Sequence, residues 1–341
     1  MMKYDQFGGH RVIEPKGFLP QAATKVDNNP EIYPNEILVD VIALQPTSSA
    51  FSEISNECGG DVAKIKDRFM EIISTQGKFQ EPKTKSGGIL IGTIEKIGEE
   101  LNVDAKVGDK IATLVSLSLT PLKVWEIKDI DMNTDQVFVN GKAILFETGI
   151  FTKLPEDLPT NVSLAAMDVA GAPAMVAMNV KPGDVVVVVG AGKAGLLSLA
   201  VAKEKVAPFG KVICMEYSKE RCKTVEELGL ADIVLNVDAQ KPLKTFEDYM
   251  EKVGVESDFT VNTVNVPDTE LSTILVTKNT GKIYFFSMST NFVKASLGAE
   301  GVKKYTQMIV GDGYYPGHDL ITFDILRKNS KIRKYFEEFF G

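Results

Sequence analysis

Cysteine is scarce. Cys58, Cys214 and Cys222 are the only three in 341 residues and share no paired spacing, which fits a reducing compartment better than a disulfide framework. Long apolar runs are absent too. The longest strongly apolar run, Val185 to Val189, falls far short of the roughly 20 residues that a membrane helix needs. The amino terminus, Met1-Met2-Lys3-Tyr4-Asp5-Gln6, carries no apolar signal core, so a cytoplasmic location without a membrane partner is expected. Basic charge is outweighed: the formal net charge is −8 and the pI ≈ 5.1, which argues against binding a phosphate backbone and so against nucleic acid as a partner. No internal repeat or low-complexity segment is visible.

What is present is an ordinary globular composition, 44% hydrophobic and 25% charged, in a chain roughly twice the usual domain length, which implies two cores. From about residue 37 to 115, short strands are expected at 37–43, 89–97 and 110–115. One helix interrupts them. Val62, Ile65, Phe69, Ile72 and Ile73 recur at helical spacing within 61–74, giving an apolar face that covers a barrel edge or lines a cleft. After Leu158 strands and helices alternate. Val185–Val189 reads as a central parallel strand, 196–205 as its crossover helix, and 211–215, 233–235, 259–261 and 282–286 as further strands. The fold class is α/β, a β domain followed by a doubly wound parallel sheet. Residues 306–341 lose the alternation and end in an aromatic, charged helix at 330–340, which points to a return to the first domain. The expected domains are 1–160, completed by about 297–341, and 161–296.

Gly190-Ala191-Gly192-Lys193-Ala194-Gly195 follows the valine strand directly and opens a helix. In a dinucleotide-binding βαβ unit the first glycine permits the tight turn, the second lets backbone approach the pyrophosphate, and the third lets helix and strand pack closely. The phosphates then meet the positive end of the helix. Glu216 ends the next strand, 21 residues past Gly195, where a carboxylate accepts hydrogen bonds from the adenosine ribose and repels a 2′-phosphate. NAD is therefore preferred, with NADP left open by Lys219 and Arg221 nearby. Tyr217, Arg221, Val264, Ser287 and Thr290 complete the candidate cofactor set. The competing reading is a glycine-rich turn with an incidental surface Glu.

A β domain carrying Lys106-Val107-Gly108-Asp109-Lys110, ahead of a Rossmann domain introduced by Val180-Lys181-Pro182-Gly183-Asp184, resembles the medium-chain dehydrogenase/reductase superfamily. That resemblance implies a GroES-like β-barrel catalytic domain plus a Rossmann domain. Zinc members place a Cys where this chain has Thr47, a His-Glu pair at Gly88-Ile89, and another ligand near Ala165. None of these ligates zinc, and the first domain offers only Cys58 and His10 toward a tetrahedral site, so zinc-free chemistry is implied. Stretches 9–17, 110–122, 168–174, 284–288, 297–302 and 308–311 more closely resemble the L-erythro-3,5-diaminohexanoate dehydrogenase family of anaerobic lysine fermentation. The resemblance implies NAD-dependent oxidative deamination at C3, giving 5-amino-3-oxohexanoate, ammonium and NADH.

Such chemistry needs a group that takes the amine proton, and partners for two ammonium groups and one carboxylate. Asp168, in an apolar stretch between the domains, is the first catalytic candidate; a helix cap is the plainer alternative. Thr47 and Ser49 offer hydroxyls that pass a proton or bind an amine, unless Pro46-Thr47-Ser48-Ser49 is only a turn. Glu147 follows the apolar 143–146 and suits an ammonium, or faces solvent. His318 sits in a glycine- and tyrosine-rich stretch that reads as a closing loop or a mere turn. His10, Arg11 and Lys16 form a basic cluster suited to the substrate carboxylate, or are simply solvated. Trp125 reads as packing.

Two other functions fit the same fold: a zinc-free quinone, enone or ketone reductase, against which Glu216 and the acidic candidates argue, and a non-enzymatic NAD(H) sensor. A homodimer or homotetramer is expected by analogy.

Overall fold

The computed structural model describes residues 4–287, 289–311 and 313–340; Met288 and Asp312, which fall within stretches singled out above, lie outside them. The chain divides into two compact units, Met1–Pro155 and Glu156–Gly341.

The first unit holds β1 (Val12–Glu14), β2 (Lys25–Val26), β3 (Glu36–Pro46), α1 (Ser48–Glu57), α2 (Val62–Gln76), β4 (Gly88–Ile97), β5 (Lys110–Thr113), β6 (Leu122–Asp131), β7 (Gln136–Phe146) and β8 (Phe151–Lys153). Six of these strands form one antiparallel sheet in the order β6-β7-β3-β4-β5-β8. Its core joins Val39, Val41 and Leu44 of β3 to Leu90 and Ile94 of β4 and to Ile65, Phe69, Ile72 and Ile73 of α2. The helix expected over 61–74 is thus present. Asp61 caps it by accepting from the Ala63 and Lys64 N–H groups, and Gly77 ends it at φ 72, a left-handed stop that glycine takes without strain. Trp125, expected to pack, is 49% exposed on β6 with Lys123 over its ring.

The second unit holds α3 (Thr160–Met167), α4 (Gly171–Asn179), β9 (Val185–Val189), α5 (Lys193–Val206), β10 (Lys211–Glu216), α6 (Lys219–Leu228), β11 (Ile233–Asn236), α7 (Pro242–Val253), β12 (Ser257–Asn262), α8 (Glu270–Val276), β13 (Thr277–Phe285), α9 (Phe292–Gly301), β14 (Gln307–Val310), α10 (His318–Lys328) and α11 (Ser330–Phe340). Its sheet is parallel throughout, in the order β11-β10-β9-β12-β13-β14. Successive strands run outward from β9 in both directions, so the strand order reverses between β9 and β12, the place where α/β sheets open a ligand crevice. Val186 to Val188 are fully buried, as a strand covered on both faces requires.

The carboxyl-terminal stretch departs from expectation. Residues 297–341 do not leave this unit: β14 pairs with β13 through Ile283↔Met308 and Tyr284↔Ile309, and α10 and α11 pack on α3 and on each other. Only four residues long and half exposed, β14 lacks the apolar run that would have marked it as a sheet strand. No single helix among the described residues is long and apolar enough to cross a membrane.

Candidate functional site

The second unit gathers its cofactor candidates at the carboxyl ends of adjacent strands. Gly190 follows β9 at φ 95, and a Cβ there would lie 2.7 Å from Val264. A Cβ on Gly195 would stand 2.0 Å from the Gly190 carbonyl oxygen, whereas one on Gly192 would meet nothing within 4 Å. The first and third glycines are therefore demanded by the fold, and the second leaves open room for a ligand. Gly192 is the N-cap of α5 and no side chain caps that end, so the leading amides are left for an anion. This geometry fits a dinucleotide pyrophosphate.

Glu216 ends β10 and is 7% exposed. Its Oε2 accepts from the Ala191 N–H at 2.7 Å and its Oε1 from the Ser218 N–H at 2.7 Å. The carboxylate thus ties the glycine loop to the β10 turn. Four lone-pair sites on two oxygens leave it able to accept from a ribose as well. Tyr217 and Arg221 are exposed beside it. On the other side of β9, the buried Asn262 side chain donates to Thr269 and Thr273 and accepts from the Val264 N–H, fixing the turn after β12. Ser287, after β13, donates to Asn265, and the Thr290 N–H closes on the Ser287 carbonyl. Neither Asn262 nor Asn265 stands out in the sequence.

Asp168 caps the end of α3, and its side chain is 62% exposed in an ion pair with Lys193 at 3.0 Å. The apolar residues flanking it are buried, but Asp168 itself is not, so the apolar setting read from the sequence belongs to its neighbours. Lys193, expected among the cofactor residues, is engaged by this pair. His318 is not on a loop: it is the first residue of α10 and 3% exposed, with Tyr314 edge-on at 5.4 Å.

In the first unit the basic cluster is also corrected. Arg11 is 1% exposed, with Nε and Nη2 on the Glu36 carboxylate at 2.8 and 2.6 Å and its remaining donors on the Asn29 and Glu31 carbonyls. His10 Nε2 stands 2.8 Å from the same carboxylate. Burial alone would raise the Glu36 pKa, but hydrogen bonds from Arg11, His10 and the Tyr33 N–H hold it below its ordinary value. Arg11 and His10 are internal braces and cannot receive a substrate carboxylate. Lys16 is exposed in the turn after β1, and Glu147 in the turn after β7.

Thr47 and Ser49 fare differently. The segment is a helix start rather than a plain turn, with Thr47 accepting from the Ala50 N–H as N-cap of α1. Thr47 Oγ1 lies 2.8 Å from Ser86 Oγ and 3.1 Å from Ser49 Oγ, and Ser86 Oγ lies 2.8 Å from Thr84 Oγ1. Four hydroxyls converge where α1 begins. Ser86 and Thr84 carry no motif of their own; the one signal is Ser86-Gly87 leading into Gly88, where β4 begins. Among the described residues no group of three or more His, Cys, Asp or Glu is placed to hold a metal ion.

Residues 10–155 match the family described as the L-erythro-3,5-diaminohexanoate dehydrogenase N-terminal domain. The chain is 50% identical over 343 residues to the L-erythro-3,5-diaminohexanoate dehydrogenase of Acetoanaerobium sticklandii, covering 99% of this chain and 100% of that one. It is likewise 50% identical over 344 residues to the enzyme of that name from Fusobacterium nucleatum subsp. nucleatum, covering 100% of each. The solved zinc-dependent alcohol dehydrogenase 2 from Streptococcus pneumonia aligns with a TM-score of 0.54 at 16% identity, over 93% of this chain and 91% of that one. That likeness shows the medium-chain dehydrogenase/reductase fold. Kinship with dehydrogenases implies a nicotinamide cofactor. From the glycine loop of the second unit and relatives matched from end to end, the chain belongs to the L-erythro-3,5-diaminohexanoate dehydrogenase family.

Proposed function

We propose that the chain catalyses NAD-dependent oxidative deamination of L-erythro-3,5-diaminohexanoate at C3, giving 5-amino-3-oxohexanoate, ammonium and NADH without zinc. The observation that carries this reading is half-identity over the whole length to two enzymes of that name. Bound nicotinamide supplies a hydride acceptor. The chain's own residues do the rest. Glu216 places a carboxylate at the end of β10, which favours a free ribose 2′-hydroxyl and hence NAD over NADP. The hydroxyls at the start of α1 provide uncharged hydrogen-bonding partners for an amine that must be deprotonated before hydride leaves its carbon. Asp168, paired with Lys193, remains the carboxylate to test for proton transfer.

The test is incubation of chelator-treated protein with NAD and the synthetic diamino acid at about pH 9, where more of the amine is neutral, following NADH absorbance and ammonium together. Equal yields of both are expected. Folded, cofactor-binding protein that releases neither would overturn the reading and leave the reductase and sensor functions. We also propose a homodimer or homotetramer, supported by the edge position of β14 and by exposed Phe292, Leu297, Tyr305 and Val310 around it; a monomeric mass by light scattering would remove that part.

A further inference from the structure

The connection that follows β12 is held from beneath by one buried side chain. Asn262 is the last residue of β12, in register with Val189 of β9 on one side and Phe285 of β13 on the other, and it is fully buried. Its Nδ2 donates to Thr269 Oγ1 and to Thr273 Oγ1, each at 2.9 Å, and its Oδ1 accepts from the Val264 N–H at 3.0 Å. The amide fits only one way round. The Thr273 hydroxyl gives its proton to the Thr269 carbonyl at 2.9 Å, so it turns a lone pair to Asn262 and requires the NH2 end. A backbone N–H only donates, so Val264 requires the oxygen. Thr269 is the N-cap of α8 and Thr273 lies within that helix. One side chain therefore clamps both ends of the connection 263–269, its start at Val264 and its finish at the head of α8.

What the clamp positions is the wall beside the glycine turn. Thr263 donates from both its N–H and its hydroxyl to the Val189 carbonyl at 2.9 Å. A Cβ at Gly190 would lie 2.7 Å from Val264 Cγ2 and 2.9 Å from Thr263 Oγ1, so the turns after β9 and β12 are pressed together at these residues. On the other side, Asn265 Oδ1 accepts from the Ser287 hydroxyl at 3.0 Å, and Ser287 Oγ accepts from the Ser289 N–H at 3.1 Å. Thr263, Val264 and Asn265 are thus fixed along the carboxyl ends of β9, β12 and β13. Val264 is half-buried and Asn265 is exposed. A dinucleotide crosses such a sheet with one mononucleotide half on each side of the strand-order reversal. Glu216, suited to the adenosine ribose, lies on the β10 side of β9, so the nicotinamide half falls on the β12 side.

We propose that Asn262 is a positioning residue for the nicotinamide half of the cofactor: through the Val264 N–H and the two α8 threonines it holds connection 263–269 in its binding arrangement before the dinucleotide arrives. Being fully buried, Asn262 reaches no ligand itself and acts through Val264 and Asn265. A buried network with its partners in place is stiff, and a wall already in place does not have to be ordered at the expense of affinity. Leucine, of about the same size, offers nothing to the Val264 N–H or to the threonine oxygens. The connection then samples other arrangements, and the apparent dissociation constant rises by the inverse of the fraction that stays competent. This inference rests on the proposed use of NAD.

The experiment titrates wild type, Asn262→Leu and Thr273→Val with NADH and with ADP-ribose, which keeps the adenosine and both phosphates but has no nicotinamide. NADH is expected to bind about tenfold more weakly to Asn262→Leu and about threefold or more weakly to Thr273→Val, with ADP-ribose within about twofold of wild type in both. Thr273→Val removes one support of the amide from inside α8 without altering the connection itself, and it carries the test should Asn262→Leu fail to fold. Hydrogen exchange on cofactor-free wild type gives a reading with no substitution at all: the Val264 amide is expected to be protected. Equal weakening of NADH and ADP-ribose, NADH affinity within about twofold of wild type in the folded variants, or an unprotected Val264 amide overturns the proposal. Wild-type protein that binds neither NADH nor ADP-ribose defeats the cofactor reading itself; wild type that binds both, with variants that behave like it, defeats this inference alone.

Discussion

Replacing Glu36 by Gln tests whether the cluster of His10, Arg11 and Glu36 braces the first unit or serves the substrate. Glu36 is fully buried and Arg11 is 1% exposed, with two charge-assisted hydrogen bonds between them at 2.8 and 2.6 Å. Removing one partner of a buried ion pair leaves the other charge without compensation, at a cost of about 3–5 kcal/mol. With a urea dependence of about 2 kcal/mol per molar, the unfolding midpoint of this unit is expected to fall by about 2 M. The sole tryptophan, Trp125 on β6, lies in the same unit and reports the transition by fluorescence. The sign of the pH effect follows from the depressed Glu36 pKa. The stabilisation is fully present above the unfolded carboxyl value and is lost as pH falls through the folded one, so wild type has an acid limb that the Gln variant lacks. KM for the diamino acid at neutral pH should not change while the protein is folded. A midpoint within about 0.3 M of wild type, or an Arg11→Met variant that raises KM without losing stability, would refute the scaffold role.

Other expectations concern separate sites. Gly195→Ala drives a Cβ to 2.0 Å from the Gly190 carbonyl and should lower the melting temperature, whereas Gly192→Ala meets open space and should weaken NADH binding by about tenfold or more with the melting temperature of the cofactor-free protein unchanged; calorimetry and fluorescence titration separate the two. Glu216→Ala should shift the ratio of NAD to NADP kcat/KM toward NADP by about tenfold or more, and an unchanged ratio would remove Glu216 from cofactor selection. Lys78 is buried with its ammonium on the Pro20 and Gln21 carbonyls, and burial lowers its pKa to about 8. Since the unfolded state keeps the proton up to the ordinary lysine value, stability of the first unit should rise with pH from about 8 to 10.5, and Lys78→Met should flatten that rise in denaturation curves taken across the range.

The cofactor half of the protein was legible because its signals are local. Five valines, three glycines and the following acid lie within a single βαβ unit, and their spacing alone dictates the turn. The first unit resisted because its meaning lies in contacts between distant residues. Arg11 looks solvated until Glu36, 25 residues on, is folded against it. Thr47 looks like a turn until Ser86, 39 residues away, meets it. Strands β6 and β7 were hidden by interruptions, Lys123 and Glu126 in one and Asn140 and Gly141 in the other. Asp168 misled for a related reason, because the character of a neighbourhood in sequence does not say which way one side chain points.

α5 begins at Gly192 with no side chain to satisfy its first amides. A helix started this way is finished by what binds it, and the dinucleotide becomes part of the folded structure as well as a reactant. By mass action, cofactor at about 100 times its dissociation constant adds about 2.7 kcal/mol to the stability of the unit that binds it. A protein stabilised in this way should resist protease better with its cofactor present than without it, in proportion to how far the cofactor exceeds its dissociation constant.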